Sequence, residues 1–229
     1  MAAMLCIGLS SCGDDPEPPT PEPPMPNPIT DYRQAVDLGL PSGTLWATCN
    51  VGANNPEEYG DYFAWGETTP KSSYSWSNYK DCQGSGTTMT KYCSDNAYGT
   101  KDNRTELEPA DDAATANWGN DWQMPSLAQC QELCYDIYTT STWTTVNGVY
   151  GRKITSKSNG QSIFLPAAGS RDGTVYHDIA GKGSNYWSRS LHAARPDLAG
   201  SFGFYQSETF GYGLPCRFYG SSVRPVRKK

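Results

Sequence analysis

The chain has 229 residues, 18 basic and 24 acidic side chains, a formal charge of −6 and only two histidines. That length permits one or two domains with a buried core. The missing basic excess excludes a phosphate-binding stripe for nucleic acid, and two histidines argue against a His-rich catalytic metal site. Aromatic residues make up 12% of the chain (15 Tyr, 7 Trp, 6 Phe), the composition of a chain that folds.

The acidity is concentrated at the beginning. Asp14, Asp15, Glu17, Glu22 and Asp31 precede Arg33, the first basic residue, so the remainder sets 18 basic against 19 acidic side chains. Residues 1–11 form a short apolar run ending in small residues, and Leu9-Ser10-Ser11-Cys12 fits the bacterial lipobox, in which the Cys12 thiol receives the lipid. The run is too short for a membrane-spanning helix, and no Lys or Arg precedes it. Eight of the thirteen residues from Pro16 to Pro28 are proline, which makes a semi-rigid spacer. Gly13-Asp14-Asp15 resembles the acidic signal that sends lipoproteins to the cell surface in the Bacteroides group. The expected organisation is therefore a lipoprotein signal with attachment cysteine over 1–12, an acidic proline-rich tether over 13–31 and one domain over 32–229. The expected location is the outer membrane, lipid-anchored and facing the cell surface.

Export also governs the cysteines. Cys49, Cys82, Cys93, Cys130, Cys134 and Cys216 remain for an oxidising compartment, where six thiols allow 15 pairings. Cys82 and Cys93 bracket a Gly/Ser/Thr loop and are the favoured disulfide. Cys130 and Cys134 share a helix-like segment and read as buried free thiols rather than a zinc knuckle.

In chain order, residues 36–40 alternate as a strand and end at the turn Pro41-Ser42-Gly43. Residues 44–49 and 62–65 are further extended runs, and 66–101 is loop-like, with Tyr74, Trp76, Tyr79 and Tyr92 at no steady period. A first helix is expected over 111–118, closed by Gly119. A second begins at the capping box Ser126/Gln129 and buries Leu127, Cys130, Leu133, Cys134 and Ile137. Strands follow over 143–146 and 149–155, joined by the hairpin turn Asn147-Gly148, and over 162–165, 186–188, 201–205 and 223–226. Two helices framed by short strands and long loops predict an α+β fold.

Several ordered motifs carry a family resemblance. They are Val36-Asp37-Leu38-Gly39-Leu40-Pro41-Ser42-Gly43-Thr44-Leu45-Trp46-Ala47, Tyr59-Gly60-Asp61-Tyr62-Phe63-Ala64-Trp65-Gly66-Glu67, Trp122-Gln123-Met124-Pro125-Ser126, Ser162-Ile163-Phe164-Leu165-Pro166-Ala167-Ala168-Gly169 and the ending Ser222-Val223-Arg224-Pro225-Val226-Arg227. Residues 35–227 resemble the Fibrobacter succinogenes major paralogous domain of Bacteroides-type surface lipoproteins. The resemblance implies a single C-type-lectin-like domain, similar also to formylglycine-generating enzymes, with a ligand surface in its last third. Segments of that kind are varied by diversity-generating retroelements.

Catalytic chemistry finds little footing. Glu108-Pro109-Ala110 and Asn120-Asp121 only partly match the calcium motifs of sugar-binding lectins, and calcium needs six or more oxygens. The pairs Asp111-Asp112 and Glu57-Glu58 read as caps or turns, and His177 and His192 belong to no triad motif. No catalytic residue, metal ligand or cofactor is expected. Residues 183–219 instead combine aromatics with glycine and serine, the composition of adaptable binding surfaces. Within them Trp187, Phe202 and Phe204 are assigned to the core, and Arg217 and Arg224 to structural pairing with carbonyls or carboxylates. His192, Arg195, Tyr205, Phe210, Tyr212 and Leu214 are the expected ligand-binding residues. The expected function is non-enzymatic: binding an extracellular protein or glycan in adhesion, as a pilus tip subunit or a retroelement-diversified protein. The alternative is a structural subunit of a pilus or surface assembly, and a glycan-processing enzyme comes third.

Overall fold

The computed structural model describes residues 33–176, 179–207 and 211–229; Cys12, His177 and Phe210 lie outside the described residues. β1 (Ala35–Asp37) turns back at Pro41 and Ser42 into β2 (Leu45–Ala47). A long irregular stretch follows, broken by single 3-10 turns at Trp76–Asn78, Asn96–Tyr98 and Pro109–Asp111. Two helices come next, α1 (Ala113–Trp118) and α2 (Leu127–Cys134). The rest is strand: β3 (Thr139–Val146), β4 (Val149–Ser156), β5 (Ser162–Pro166), β6 (Arg171–Asp172), β7 (Val175–Tyr176), β8 (Gly183–Leu191), β9 (Ala199–Tyr205), β10 (Gly211–Gly213) and β11 (Val226–Arg227). The described strands pair antiparallel in the orders β1-β2-β11, β3-β4-β5, β10-β9-β8 and β6-β7. The architecture is mixed helix and sheet, α+β, and β11 closes it by joining β2. No helix among the described residues is long and apolar enough to cross a membrane.

Local chemistry explains the regular parts. Asn147 and Gly148 hold φ of 48° and 82°, the two left-handed residues of a type I′ turn. They fix an eight-pair register from Val146↔Val149 to Thr139↔Ser156. The Asp112 carboxylate caps α1 by accepting from Thr115 N at 2.9 Å, and the chain leaves that helix at Gly119 with φ 96°. At α2, Gln129 N donates to Ser126 Oγ at 3.3 Å while Ser126 N donates to Gln129 Oε1 at 2.8 Å, the reciprocal capping box. Cys130 and Leu133 are the buried residues of this helix. Ile137 departs from expectation and is 67% exposed: Tyr135 turns to extended geometry, so the helical period stops before Ile137 is reached. Residues 62–65 form no named strand either: Phe63 bridges Ser221 and Trp65 N donates to Arg217 O at 2.8 Å.

The core holds Trp46, Tyr186, Phe202 and Phe204, with Tyr186 stacked on Phe202 at 5.1 Å, and in a second cluster Trp65 and Trp187. Each of the latter two indoles donates to a distant carbonyl: Trp65 to Ser188 O at 2.8 Å and Trp187 to Phe63 O at 2.7 Å. Two arginines are completely buried. Arg224 donates to Asn50 Oδ1 and to the carbonyls of Ala47, Thr48 and Phe164, clamping the exit of β2 to β5. Arg217 donates to Tyr79 Oη and to the carbonyls of Lys91, Tyr92 and Pro196, and its guanidinium lies 4.7 Å from the Trp65 ring centre. A guanidinium survives burial when its donors all find acceptors, so these positions are structural.

Candidate functional site

The β8–β9–β10 sheet positions the surface of interest. Its pairing sets Tyr186, Phe202 and Tyr212 in one row and Asn185, Gly203 and Gly211 in the next. Successive rows face opposite sides of a sheet, so the first row meets the core while the second carries almost no side-chain bulk. The result is an open groove of about 210 Å³ bordered by Asn185, Tyr205, Tyr212 and the glycines 203, 211 and 213. None of the described lining residues is charged. The glycines are required by space: a Cβ on Gly203 would stand 2.5 Å from Asn185 Oδ1 and 2.6 Å from Ser184 O, and one on Gly213 would stand 2.6 Å from Ser201 Oγ.

Tyr205 shares the face of this floor, whereas Tyr212, opposite Phe202, belongs to the other face and borders the groove at the edge strand. Tyr205 is 41% exposed, and its carbonyl is held by Arg152 Nη2 at 2.9 Å. Tyr212 is 47% exposed. Burial of its hydroxyl pushes the pKa up, and the neighbouring Cys134 and Tyr135 add to the shift. Tyr135, itself 47% exposed at the end of α2, therefore lies near Tyr212. Sequence reasoning missed both Tyr135 and Asn185. The strand alternation around Tyr186 was a usable signal for Asn185, whereas nothing in the sequence announces that α2 ends beside β10.

The remaining expected residues gather at the other end of β9. His192 is half-buried, and its N–H donates to Leu198 O at 3.2 Å, closing a loop. Arg195 makes a two-pronged pair with Asp197, at 2.9 and 2.7 Å, and lies 5.7 Å from the Tyr98 ring centre. Its charge is thus already engaged. Leu214 is 47% exposed and precedes Pro215, whose carbonyl accepts from Ala199 N. β9 separates this loop from Tyr205 by six residue steps, about 20 Å at strand rise. The structure thus brings Tyr205 and Tyr212 to the groove from opposite faces of the sheet, and leaves His192, Arg195 and Leu214 at the other end of β9.

The carboxylate pairs have other occupations. Asp111 accepts from Lys80 Nζ and Lys91 Nζ, both at 2.5 Å, and from Tyr92 Oη at 2.6 Å. Burial would raise its pKa, but these hydrogen bonds outweigh that and hold it at about 2. Asp112 is buried, which raises its pKa, and beyond capping α1 it accepts from Met124 N. Glu58 accepts from Asn54 N and Asn55 Nδ2, and Glu57 from Asn147 Nδ2. Among the described residues no three His, Cys, Asp or Glu side chains converge as metal ligands. A larger open groove of about 500 Å³ beside β11, lined by Asn120, Asp121, Arg227, Lys228 and Lys229 among others, contains none of the expected site residues.

The expected Cys82–Cys93 bridge is not formed. Both are free thiols, as are the other four cysteines of the described residues. The loop folds so that Met89, not Cys93, lies across from Cys82. Cys82 Sγ is directed at Trp76 O (3.3 Å) and Cys93 Sγ at Asp95 O (3.1 Å).

Fold and surface together define an α+β protein with a glycine-floored groove, uncharged among the described residues and bordered by Tyr205 and Tyr212. The chain matches no protein-family model, no curated protein and no solved structure.

Proposed function

We propose that this chain is a non-enzymatic cell-surface lipoprotein, anchored through Cys12 in the outer membrane. In this reading residues 32–229 adopt a C-type-lectin-like fold and bind an extracellular protein or glycan at the β9–β10 surface. The observation that carries the reading is the groove itself. The half-exposed Tyr205 ring offers a face for stacking, Tyr212 adds contact area at the edge strand, the Asn185 carboxamide offers a donor and an acceptor, and the glycine floor lets a ligand approach backbone. An uncharged lining suits a neutral ligand rich in hydroxyl or amide groups. Adhesion is the setting proposed, as a pilus tip subunit or a retroelement-diversified variable protein. The non-enzymatic reading is supported by the carboxylates Asp111, Asp112, Glu57 and Glu58, each engaged in holding local structure.

The test is a glycan and extracellular-protein array probed with the protein, followed by Tyr205→Ala and Tyr212→Ala. Each variant should weaken binding about tenfold, the scale of a stacked ring worth roughly 1.5 kcal/mol, while melting within a few degrees of wild type. Unchanged binding in both variants would move the site elsewhere.

A further inference from the structure

The sheet β3-β4-β5 ends in an unusually open edge. β3 runs for eight residues, Thr139–Val146, with an unbroken register against β4 and neither charge, proline nor bulge. Native edges are normally blunted by one of those devices or by being short. The other sheet edges of the described fold conform. β1 and β10 have three residues each, β5 ends in Pro166, and β8 is covered by bridges to Gly169, Ser222 and Glu106.

Hairpin geometry identifies the free groups. A two-residue turn makes Val146↔Val149 a hydrogen-bonded pair, so Thr144, Thr142 and Thr140 also bond β4. Ser141, Trp143 and Thr145 then direct their N–H and C=O away from the sheet. Among the described residues none of these groups has a hydrogen-bond partner.

We propose that β3 pairs antiparallel with β3 of a second copy of this chain, about a two-fold axis at Trp143. The register follows from the geometry. Only the outward residues can bond, and a two-fold at the middle one sets Ser141 opposite Thr145 of the second copy and Trp143 opposite its own equivalent. Each of these three pairs exchanges two main-chain bonds, so every outward group is satisfied. The strand is also its own chemical complement. Hydroxyl side chains meet hydroxyl side chains, a favourable cross-strand pairing, and no charge on β3 faces a like charge. The contact is isologous, so it joins the two sheets into one of six strands, uses up both edges and closes at two copies instead of propagating.

Sedimentation and light scattering of the full protein between about 1 and about 100 µM, the range in which a small interface exchanges, test this. The mass should double and then stop rising. Amide hydrogen exchange should show Ser141, Trp143 and Thr145 becoming protected with concentration, while Thr142 and Thr144, already bonded to β4, do not change. Thr145→Pro removes one outward N–H, and Thr142→Lys adds a gatekeeper charge at an exposed position. Each should weaken the dimer more than about tenfold with the melting temperature kept within a few degrees. A monomer at the highest concentration, a mass that grows without limit, or dimers undisturbed by both variants would overturn the proposal.

Discussion

Asp112 gives the sharpest test of whether the acidic pair at residues 111–112 is structural. Its carboxylate is 2% exposed and accepts from two backbone donors: Thr115 N at 2.9 Å, and Met124 N at 2.8 and 3.1 Å to its two oxygens. Replacement by alanine removes the cap of α1, a loss of about 1 kcal/mol. It also strands a buried Met124 N–H, which costs roughly 1–3 kcal/mol. The sum is about 2–4 kcal/mol. In a chain of this size that lowers the melting temperature by about 5–15 °C. Asp112→Asn keeps an acceptor for Thr115 but can bond Met124 N through one atom only, so it should fall between. Thermal and urea denaturation followed by circular dichroism measure all three proteins. A loss below about 0.5 kcal/mol for Asp112→Ala would refute the two-donor account and reopen a chemical role for the pair.

Three further predictions concern the groove, the cysteines and pH. Gly203→Ala should close the groove floor and lower stability by about 1–3 kcal/mol, because the new methyl meets Asn185 Oδ1 and Ser184 O; wild-type melting and intact ligand binding would contradict this. Cys82→Ser and Cys93→Ser should each melt within a few degrees of wild type, since both thiols are free, whereas breaking a real bridge would cost roughly 2–5 kcal/mol. Burial raises the Asp81 carboxyl to about 6 despite Arg217 at 3.5 Å. The folded state therefore holds that proton more tightly than the unfolded one, and the stabilising contribution is lost as pH rises from about 4 to about 6. Melting curves across that range should show a downward slope that Asp81→Asn flattens; an unchanged slope in the variant would assign it to another group.

The parts of the fold legible in sequence are those with local causes. Asn147-Gly148 announces its hairpin through the two left-handed residues the turn requires, and Ser126 with Gln129 announces α2 through reciprocal bonds three residues apart. The segment 66–101 had no readable period because its order comes from partners far along the chain or from single aromatic anchors. Tyr74 Oη donates to Tyr62 O, Tyr79 Oη to Trp65 O and Tyr62 Oη to Ala168 O, each at 2.6 Å. A tyrosine used this way buries its ring and satisfies a loop carbonyl with one side chain. That dual use accounts for a chain so rich in tyrosine and so poor in regular structure. Ile137 was misread for a related reason: its apolar period continues past Cys134, but Tyr135 leaves the helix.

The candidate site divides along the same line. Alternation within β9 separates Phe202 and Phe204, which are buried, from Gly203 and the exposed Tyr205, and any reader of the strand could make that separation. The contribution of Tyr135 depends on α2 ending beside β10, a tertiary fact with no sequence signature. Arg195 is engaged locally. A basic residue among aromatics suggested a contact for a ligand, yet Asp197 two residues later was available to take its charge, and does. The same economy holds across the body, where Arg217, Lys80 and Lys91 are all engaged by internal acceptors. These charges are spent inside the fold, and the described lining of the groove is uncharged. Ligand affinity at Tyr205 and Tyr212 should accordingly depend little on ionic strength, as expected for contacts made by ring faces and amides.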